Sequence, residues 1–178
     1  MTGAEALSRE IARIVHESGI KSPVTSKRGF NARLRYLDST AGRAALRAQG
    51  VTPRTLRSWA TGKASPSRAS REKVDNAYWD RRRENLLDSG QLKKLLNNDG
   101  RGRRMEIYPV DQSTVDEKRK RPTLQQRSIQ GRYFWDDLVD AWEAKDDSLM
   151  DEIWEDIIND LDSDYAAYAY VSSVGIGV

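Results

Sequence analysis

The sequence lacks the residues that build disulfides and most metal sites. Its 178 residues include no cysteine and only one histidine, His16. Without cysteine the chain forms no disulfide and offers no thiolate to a metal ion, which fits a reducing compartment. A lone histidine does not supply the histidine pair that a usual zinc or copper site needs. We therefore predict a protein with no metal and no other cofactor.

Long apolar runs are missing as well. No stretch is long and apolar enough to cross a membrane, and the opening residues MTGAEALSRE lack the basic-then-apolar order of a signal peptide. The glycines of GRGRR do not have the spacing of a phosphate-binding P-loop. We therefore predict a cytoplasmic protein without a membrane partner.

Charge is abundant and unevenly distributed. Residues 1–100 carry 20 Lys+Arg against 10 Asp+Glu, residues 101–130 carry 8 against 4, and residues 131–178 carry 2 against 13. The net charges of the three segments are therefore +10, +4 and −11, which sum to the +3 of the whole chain. A basic front joined to an acidic tail predicts a nucleic-acid surface in the first part of the chain.

The stretch from Thr40 to about residue 85 has the pattern of a helix-turn-helix. Thr40 is a candidate cap for a first helix, and Gly50 supplies the unrestricted backbone of the turn. Thr52 is a good N-cap, and Pro53 suits the first position of a second helix. Gly62 ends that helix after a few turns. The segment 52–61 is therefore the predicted recognition helix.

The recognition helix separates apolar from polar residues. Leu56 and Trp59 lie three positions apart and are expected to face the core. Two arginines and two hydroxyl residues are left to face out, which suits DNA. The alternative is an ordinary helical hairpin whose arginines are merely solvated. The residues predicted to contact DNA on and beside this helix are Thr52, Arg54, Thr55, Arg57, Ser58 and Lys63.

Cations on the neighbouring helices are expected to flank the DNA backbone. Helices are predicted over 3–18, over 30–37 and from Arg68 to about Leu96, the last with an arginine triplet on its outer face. Such a triplet favours phosphate contact over the reading of bases. The flanking residues predicted to contact DNA are Lys27, Arg28, Arg33, Arg81 and Arg82, with Arg35 beside them.

The pattern of elements changes after the turn-rich segment 97–104. Strands are predicted over 105–110, over 124–130 and from Tyr165 to Val178, and two amphipathic helices over 133–144 and 149–161. The predicted fold class is mainly α with an α+β C-terminal part of two or three strands and two amphipathic helices. The predicted domains are a helical helix-turn-helix domain at 1–96, a linker at 97–104 and an acidic α+β domain at 105–178.

The C-terminal part is predicted to have no catalytic site of its own. Its many carboxylates fall on the polar faces of the two helices, and no spacing among them singles out a metal-binding triad. The charged loop 111–121 has exposed hydroxyls at Ser113 and Thr114, just before four cations. A hydroxyl is a poor nucleophile until a base or a metal activates it. We therefore predict that the protein is not an enzyme by itself.

The order of parts resembles the telomere-protecting terminal proteins (Tpg type) of linear actinobacterial chromosomes and plasmids. The resemblance rests on RLRYL, GVTPRTLRSWATG, WDRRREN, STVDEKR and RYFWDDLVDAWE, and it covers nearly the whole chain. It implies a protein that is joined covalently through a hydroxyl to the 5′ end of DNA and primes end-filling synthesis. It places the nucleotide acceptor on Thr114, and its implied partners are telomeric DNA, a DNA polymerase and a telomere-associated protein.

The predicted function is sequence-specific binding of double-stranded DNA by a nucleoid-associated protein, in the role of a telomere terminal protein. The acidic domain would dock a partner or a second copy in a homodimer. The first alternative is a repressor of phage or plasmid origin whose C-terminal domain only dimerises, and its operator would have half-sites about one helical turn apart. The second is a replication or partition accessory protein that binds DNA without covalent chemistry.

Overall fold

The computed structural model describes residues 1–110, 118, 125–163 and 165–178, and for residue 166 only the backbone. It contains helices and a small sheet, in the order α1 (Gly3–Glu17), α2 (Lys27–Tyr36), α3 (Thr40–Ala48), α4 (Pro53–Ala60), α5 (Arg68–Asp88), α6 (Gln91–Asn97), β1 (Arg103–Pro109), β2 (Arg127–Gly131), α7 (Trp135–Ala144), α8 (Asp147–Asp160), α9 (Tyr165–Tyr168) and β3 (Val171–Ile176). The predicted fold class, mainly α with a small α+β part, is confirmed. Within the described residues no helix is both long enough and apolar enough to cross a membrane.

The chain forms two compact units. One, here called the basic unit, is Val15–Ser89, and the other, the sheet unit, combines Met1–Ile14 with Gly90–Val178. From the sequence the basic unit carries 16 Lys+Arg against 7 Asp+Glu, a net charge of +9, and the sheet unit carries 14 against 20, a net charge of −6. The excess of positive charge is therefore confined to one of the two units.

The basic unit is a cluster of helices around one apolar core. Each of α2, α3, α4 and α5 begins at a serine or threonine N-cap whose hydroxyl accepts a hydrogen bond from the backbone N–H three residues on. The hydroxyl of Tyr78, a core residue of α5, accepts a hydrogen bond from the backbone N–H of Ile20 at 2.8 Å. The core is made of Phe30, Leu37, Leu46, Val51, Val74, Ala77 and Tyr78.

The sheet unit packs helices against a three-stranded antiparallel sheet. The strand order is β2-β1-β3, with Met105 of β1 opposite Ile129 of β2 on one side and Ile176 of β3 on the other. Two fully buried tryptophans fix the helices to the chain around them. The indole N–H of Trp135 donates to the carbonyl oxygen of Gly131 at 2.9 Å, and that of Trp154 donates to Tyr168 at 3.0 Å.

The N-terminal residues belong to the sheet unit, which differs from the predicted domain at 1–96. Met1 and Val171 exchange backbone hydrogen bonds along β3. The buried carboxylate of Glu10 accepts a 2.7 Å hydrogen bond from the N–H of Ile176. The predicted linker 97–104 is instead a tight turn inside the sheet unit, between α6 and β1.

The bounds of most predicted elements differ from the observed ones by one to three residues. Three differences change how an element is interrupted, capped or begun. The helix predicted from Arg68 to Leu96 is interrupted, because Gly90 has a φ of 66°, which no helix interior allows. The first helix of the helix-turn-helix is capped by Ser39, one residue before the predicted Thr40. The strand predicted from Tyr165 begins as the short helix α9, because Tyr168 turns inward and becomes buried.

Candidate nucleic-acid interface

Helices α3 and α4 are joined by the tight turn that the sequence predicts. At the end of α3, the N–H of Gly50 donates to the carbonyl oxygen of Arg47 and that of Val51 donates to Leu46, both at 2.9 Å. These two bonds form a Schellman motif, which requires the left-handed backbone that Gly50 adopts with a φ of 79°. Val51 is buried directly after it. The turn is therefore fixed by backbone geometry and by one apolar anchor.

The recognition helix α4 is closed at both ends. The Thr52 hydroxyl accepts from the N–H of Thr55 at 3.2 Å, and Pro53 takes the first helical position, as predicted. The Thr52 and Thr55 hydroxyls lie 2.9 Å apart and hydrogen-bond to each other. A second Schellman motif at Gly62 ends the helix. A helix this short is marginal alone, so the caps and the core contacts hold it.

The two faces of α4 differ as the sequence predicts. Leu56 and Trp59 pack against the core, and the Trp59 ring meets the Phe30 ring edge-on, with 5.7 Å between centroids. Arg54 and Arg57 are exposed, and the helical spacing directs both away from the face that Leu56 and Trp59 share. Thr55 and Ser58, predicted to face out, are half-buried. The outward face of α4 is thus dominated by two guanidinium groups.

The basic unit has exposed cations, two of them in α4, whose side chains form no ion pair with any described residue. The side chains of these cations form no hydrogen bond or ion pair within the described part of the chain. Between residues 18 and 71 the sequence has 12 Lys+Arg and a single acid, Asp38, so few carboxylates are available nearby. The nine cations, here called the unpaired cations, are Lys21, Lys27, Arg28, Arg35, Arg47, Arg54, Arg57, Lys63 and Lys73.

Six predicted cationic contacts are therefore exposed and unpaired: Lys27, Arg28, Arg35, Arg54, Arg57 and Lys63. Sequence reasoning did not select three further members of the group, at positions 21, 47 and 73. Arg47 lies in the last turn of α3. The sequence feature that could have identified it is the segment 18–71, in which a single acid is available to pair with twelve cations.

Arg33 is a correction, because it belongs to the core of the basic unit. Its side chain is 5% exposed. The guanidinium donates to the Asp75 carboxylate and to the carbonyl oxygens of Ser22 at 2.8 Å and Gly29 at 3.0 Å. It also lies 5.3 Å from the ring centroid of Tyr78. With its donors directed inward, Arg33 is unable to contact a phosphate in this conformation.

The arginine triplet of α5 is also less free than predicted. Arg81 is 24% exposed and donates to the Glu84 carboxylate at 2.8 Å. Arg82 donates to the carbonyl oxygen of Ser18 at 2.9 Å, and its Nε atom is buried. Arg83 is half-buried and has a partner of its own. Arg81 and Arg82 therefore each have a partner within the basic unit, and their contact with DNA stays a prediction.

The candidate nucleotide acceptor Thr114 lies outside the described residues, as does most of the predicted priming loop 111–121. Lys118 is described and is exposed. The acceptor role of Thr114 stays a prediction. Comparison of the chain with protein-family models, with curated proteins and with solved structures gave no match.

Proposed function

We propose that the basic unit binds double-stranded DNA, with α4 in the major groove and the unpaired cations on the phosphates. The observation that carries this proposal is the set of nine exposed cations that no carboxylate of the described residues neutralises. Duplex DNA carries one negative charge per about 1.7 Å of its axis, and cations that replace its counterions supply most of the non-specific affinity. A unit with this many exposed and unpaired cations is suited to replacing the counterions of DNA.

The two outward arginines of α4 are assigned to the DNA groove. A recognition helix contacts base edges through residues near its N-terminus, and Arg54 is the second residue of α4. Arginine makes a bidentate pair with guanine, whereas contacts to phosphate carry no sequence information. Arg54 is therefore the assigned base reader, and Arg57, one turn further along, is at the groove wall. Lys27, Arg28 and Lys63 are assigned to the backbone.

The proposal is tested by DNA binding of the full chain at several salt concentrations. Fluorescence anisotropy with a labelled random-sequence duplex gives the Kd, and the affinity is expected to fall steeply as salt rises. Arg57→Ala and Lys63→Ala should each weaken binding and lower the salt slope by about 0.9. Arg132→Ala removes an exposed cation of the sheet unit and is the matched control, with an expected slope equal to that of the unaltered protein.

Selection of bound sequences from a random pool then tests the assignment of Arg54. Arg54→Ala should weaken binding to the selected sequence by about 1–3 kcal/mol and relax the base preference at one position. If Arg54→Ala and Arg57→Ala bind like Arg132→Ala, α4 is not the DNA-reading element. If the full chain shows no salt-dependent binding of duplex DNA, the proposed function is wrong.

A narrower role, that of a terminal protein at the end of a linear replicon, is supported by the sequence resemblance. In that role Thr114 would be the hydroxyl that a polymerase joins to the first nucleotide. The test is the intact mass of the protein purified from its native host, with Thr114→Ala and the neighbouring Ser113→Ala compared. An adduct lost only in Thr114→Ala supports the role and its acceptor. DNA binding to a palindromic site without any adduct would favour the repressor alternative.

A further inference from the structure

A groove of about 720 Å³ opens on the basic unit beneath the recognition helix. Its apolar lining comes from α2 and from the core-facing side of α4, through Phe30, Leu34, Leu56 and Trp59. The volume lies within the range of about 300–1,000 Å³ that is usual for small-molecule sites. Its size and lining therefore suit a ligand with an apolar body.

The rim of this groove is positively charged. Lys27 and Arg35, both in α2, line it and belong to the unpaired cations. Arg71 lines it too, with its guanidinium 4.9 Å from the centroid of the Phe30 ring and one donor on the carbonyl oxygen of Val24. The acid in the lining, Asp38, is already paired with Arg43 at 2.7 Å. The lining therefore has a net charge of +3, from four cations and one acid.

We propose that this groove binds a small organic anion, a carboxylate carried on an aromatic or similarly flat apolar body. The apolar floor favours the body, and the free ammonium of Lys27 and guanidinium of Arg35 favour the carboxylate. The half-buried ring of Trp59 is available for aromatic stacking, while the buried Phe30 ring already contacts Trp59 and the Arg71 guanidinium.

The groove shares Lys27 and Arg35 with the proposed DNA surface but does not include the α4 arginines of that surface. Arg54 and Arg57, the outward residues of α4, do not line the groove. A bare phosphate of the DNA backbone has no apolar group to place on Leu34 and Leu56, so it would leave the floor uncovered. Binding of a small anion is therefore measured in the absence of DNA, and the loss of either activity leaves the other to be tested separately.

The test uses 1-naphthoate as the probe and the full ¹⁵N-labelled chain at physiological ionic strength. Shifts of backbone amide signals locate the site and give the Kd. The expected shifts are at Phe30, Leu34 and Trp59, with a Kd of about 1 mM or tighter for a ligand of this size. The uncharged analogue 1-naphthalenemethanol should bind at least fivefold more weakly, and inorganic phosphate should not displace the probe.

Variants distinguish the contribution of the rim cations to binding from that of general surface charge. Lys27→Gln and Arg35→Gln should each raise the Kd about fivefold, the effect of losing one exposed ion pair. Arg28→Gln is the matched control, because Arg28 is exposed and unpaired in the same helix but does not line the groove. Ala60→Phe, which places a ring at the groove wall, should abolish binding without removing a charge.

Three results obtained with the naphthyl probes and the variants would each overturn the proposal. They are the absence of a saturable amide shift at the groove, an equal affinity for the uncharged analogue, and an equal loss of affinity in Arg28→Gln and Lys27→Gln. Displacement of the probe by inorganic phosphate would also overturn it, since the groove would then be only an anion contact. The amide spectrum of each variant shows directly whether the basic unit is still folded, so a loss of binding is not confused with unfolding.

Discussion

Replacing Arg33 with alanine is expected to destabilise the basic unit strongly. The substitution removes a guanidinium that is 5% exposed and leaves the Asp75 carboxylate without its partner. It also removes the donor on the carbonyl oxygens of Ser22 and Gly29. Breaking a buried pair costs about 3–5 kcal/mol. Because the Asp75 side chain is 28% exposed and regains water, we expect the lower end, about 3 kcal/mol.

The assay must report the basic unit alone, because a two-unit chain does not guarantee a single unfolding transition. Amide signals of Val74 and Ala77, two buried residues of α5, provide that report during thermal unfolding. A loss of 3 kcal/mol corresponds to a fall of about 12–24 °C in Tm for a unit of this size. The control is Arg35→Ala, since Arg35 is exposed and unpaired in the same helix, and it should change stability by less than about 0.5 kcal/mol.

A double-mutant cycle assigns the effect to the pair itself. Asp75→Ala alone leaves the Arg33 guanidinium buried with part of its hydrogen bonding lost, so the double variant should cost less than the two single changes together. We expect a coupling free energy of at least about 1 kcal/mol. The reasoning is refuted if Arg33→Ala unfolds with the same Tm as Arg35→Ala. In that case the guanidinium is not structural, and the original assignment of Arg33 to a phosphate would return.

Two further predictions concern the sheet unit. Gly3→Ala should destabilise it by about 1–3 kcal/mol, because a Cβ at Gly3 would lie 2.1 Å from the Trp154 ring. Gly175→Ala, where the nearest atom is at 3.8 Å, should have little effect in the same denaturant titration. The hydrogen bond from the Tyr108 hydroxyl to the Glu106 carboxylate raises the pKa of Tyr108 above its ordinary value. Glu106→Gln should lower this pKa in an ultraviolet titration of the phenolate. The hydrogen bond stabilises the fold at pH values below the ordinary tyrosine pKa, and this stabilisation is lost as the pH rises through the raised pKa. A Tyr108 pKa that is unchanged in Glu106→Gln would contradict this reasoning.

The helix-turn-helix was predictable because its signals are local. Thr52, Pro53, Gly50 and Gly62 each act on a backbone within three or four residues, through a cap, a fixed φ or a left-handed turn. Such constraints are readable from a short stretch of sequence. The spacing of apolar residues in α4 then gave the inward and outward faces.

Features that depend on distant residues were not predictable in this way. Arg33 and Arg35 look alike in RLRYL, yet only Arg33 meets a carboxylate, which comes from a position 42 residues later. Likewise, nothing near Glu10 indicates that its partner is the N–H of Ile176, 166 residues further along. The predicted domain at 1–96 therefore missed that the first helix begins in the sheet unit.

The distribution of acids in the basic unit is relevant to the choice between solvated arginines and a polyanion surface. Four acids of the unit each pair with one cation, Arg33, Arg43, Arg68 or Arg81. Those cations lie in or beside α2, α3 and α5, and none is in α4. A surface that only needs solubility mixes both signs of charge. Here the cations of α4 and around its ends are left without counter-charges, at a cost in self-repulsion that a bound polyanion would remove. This arrangement favours DNA binding over a merely solvated helical hairpin.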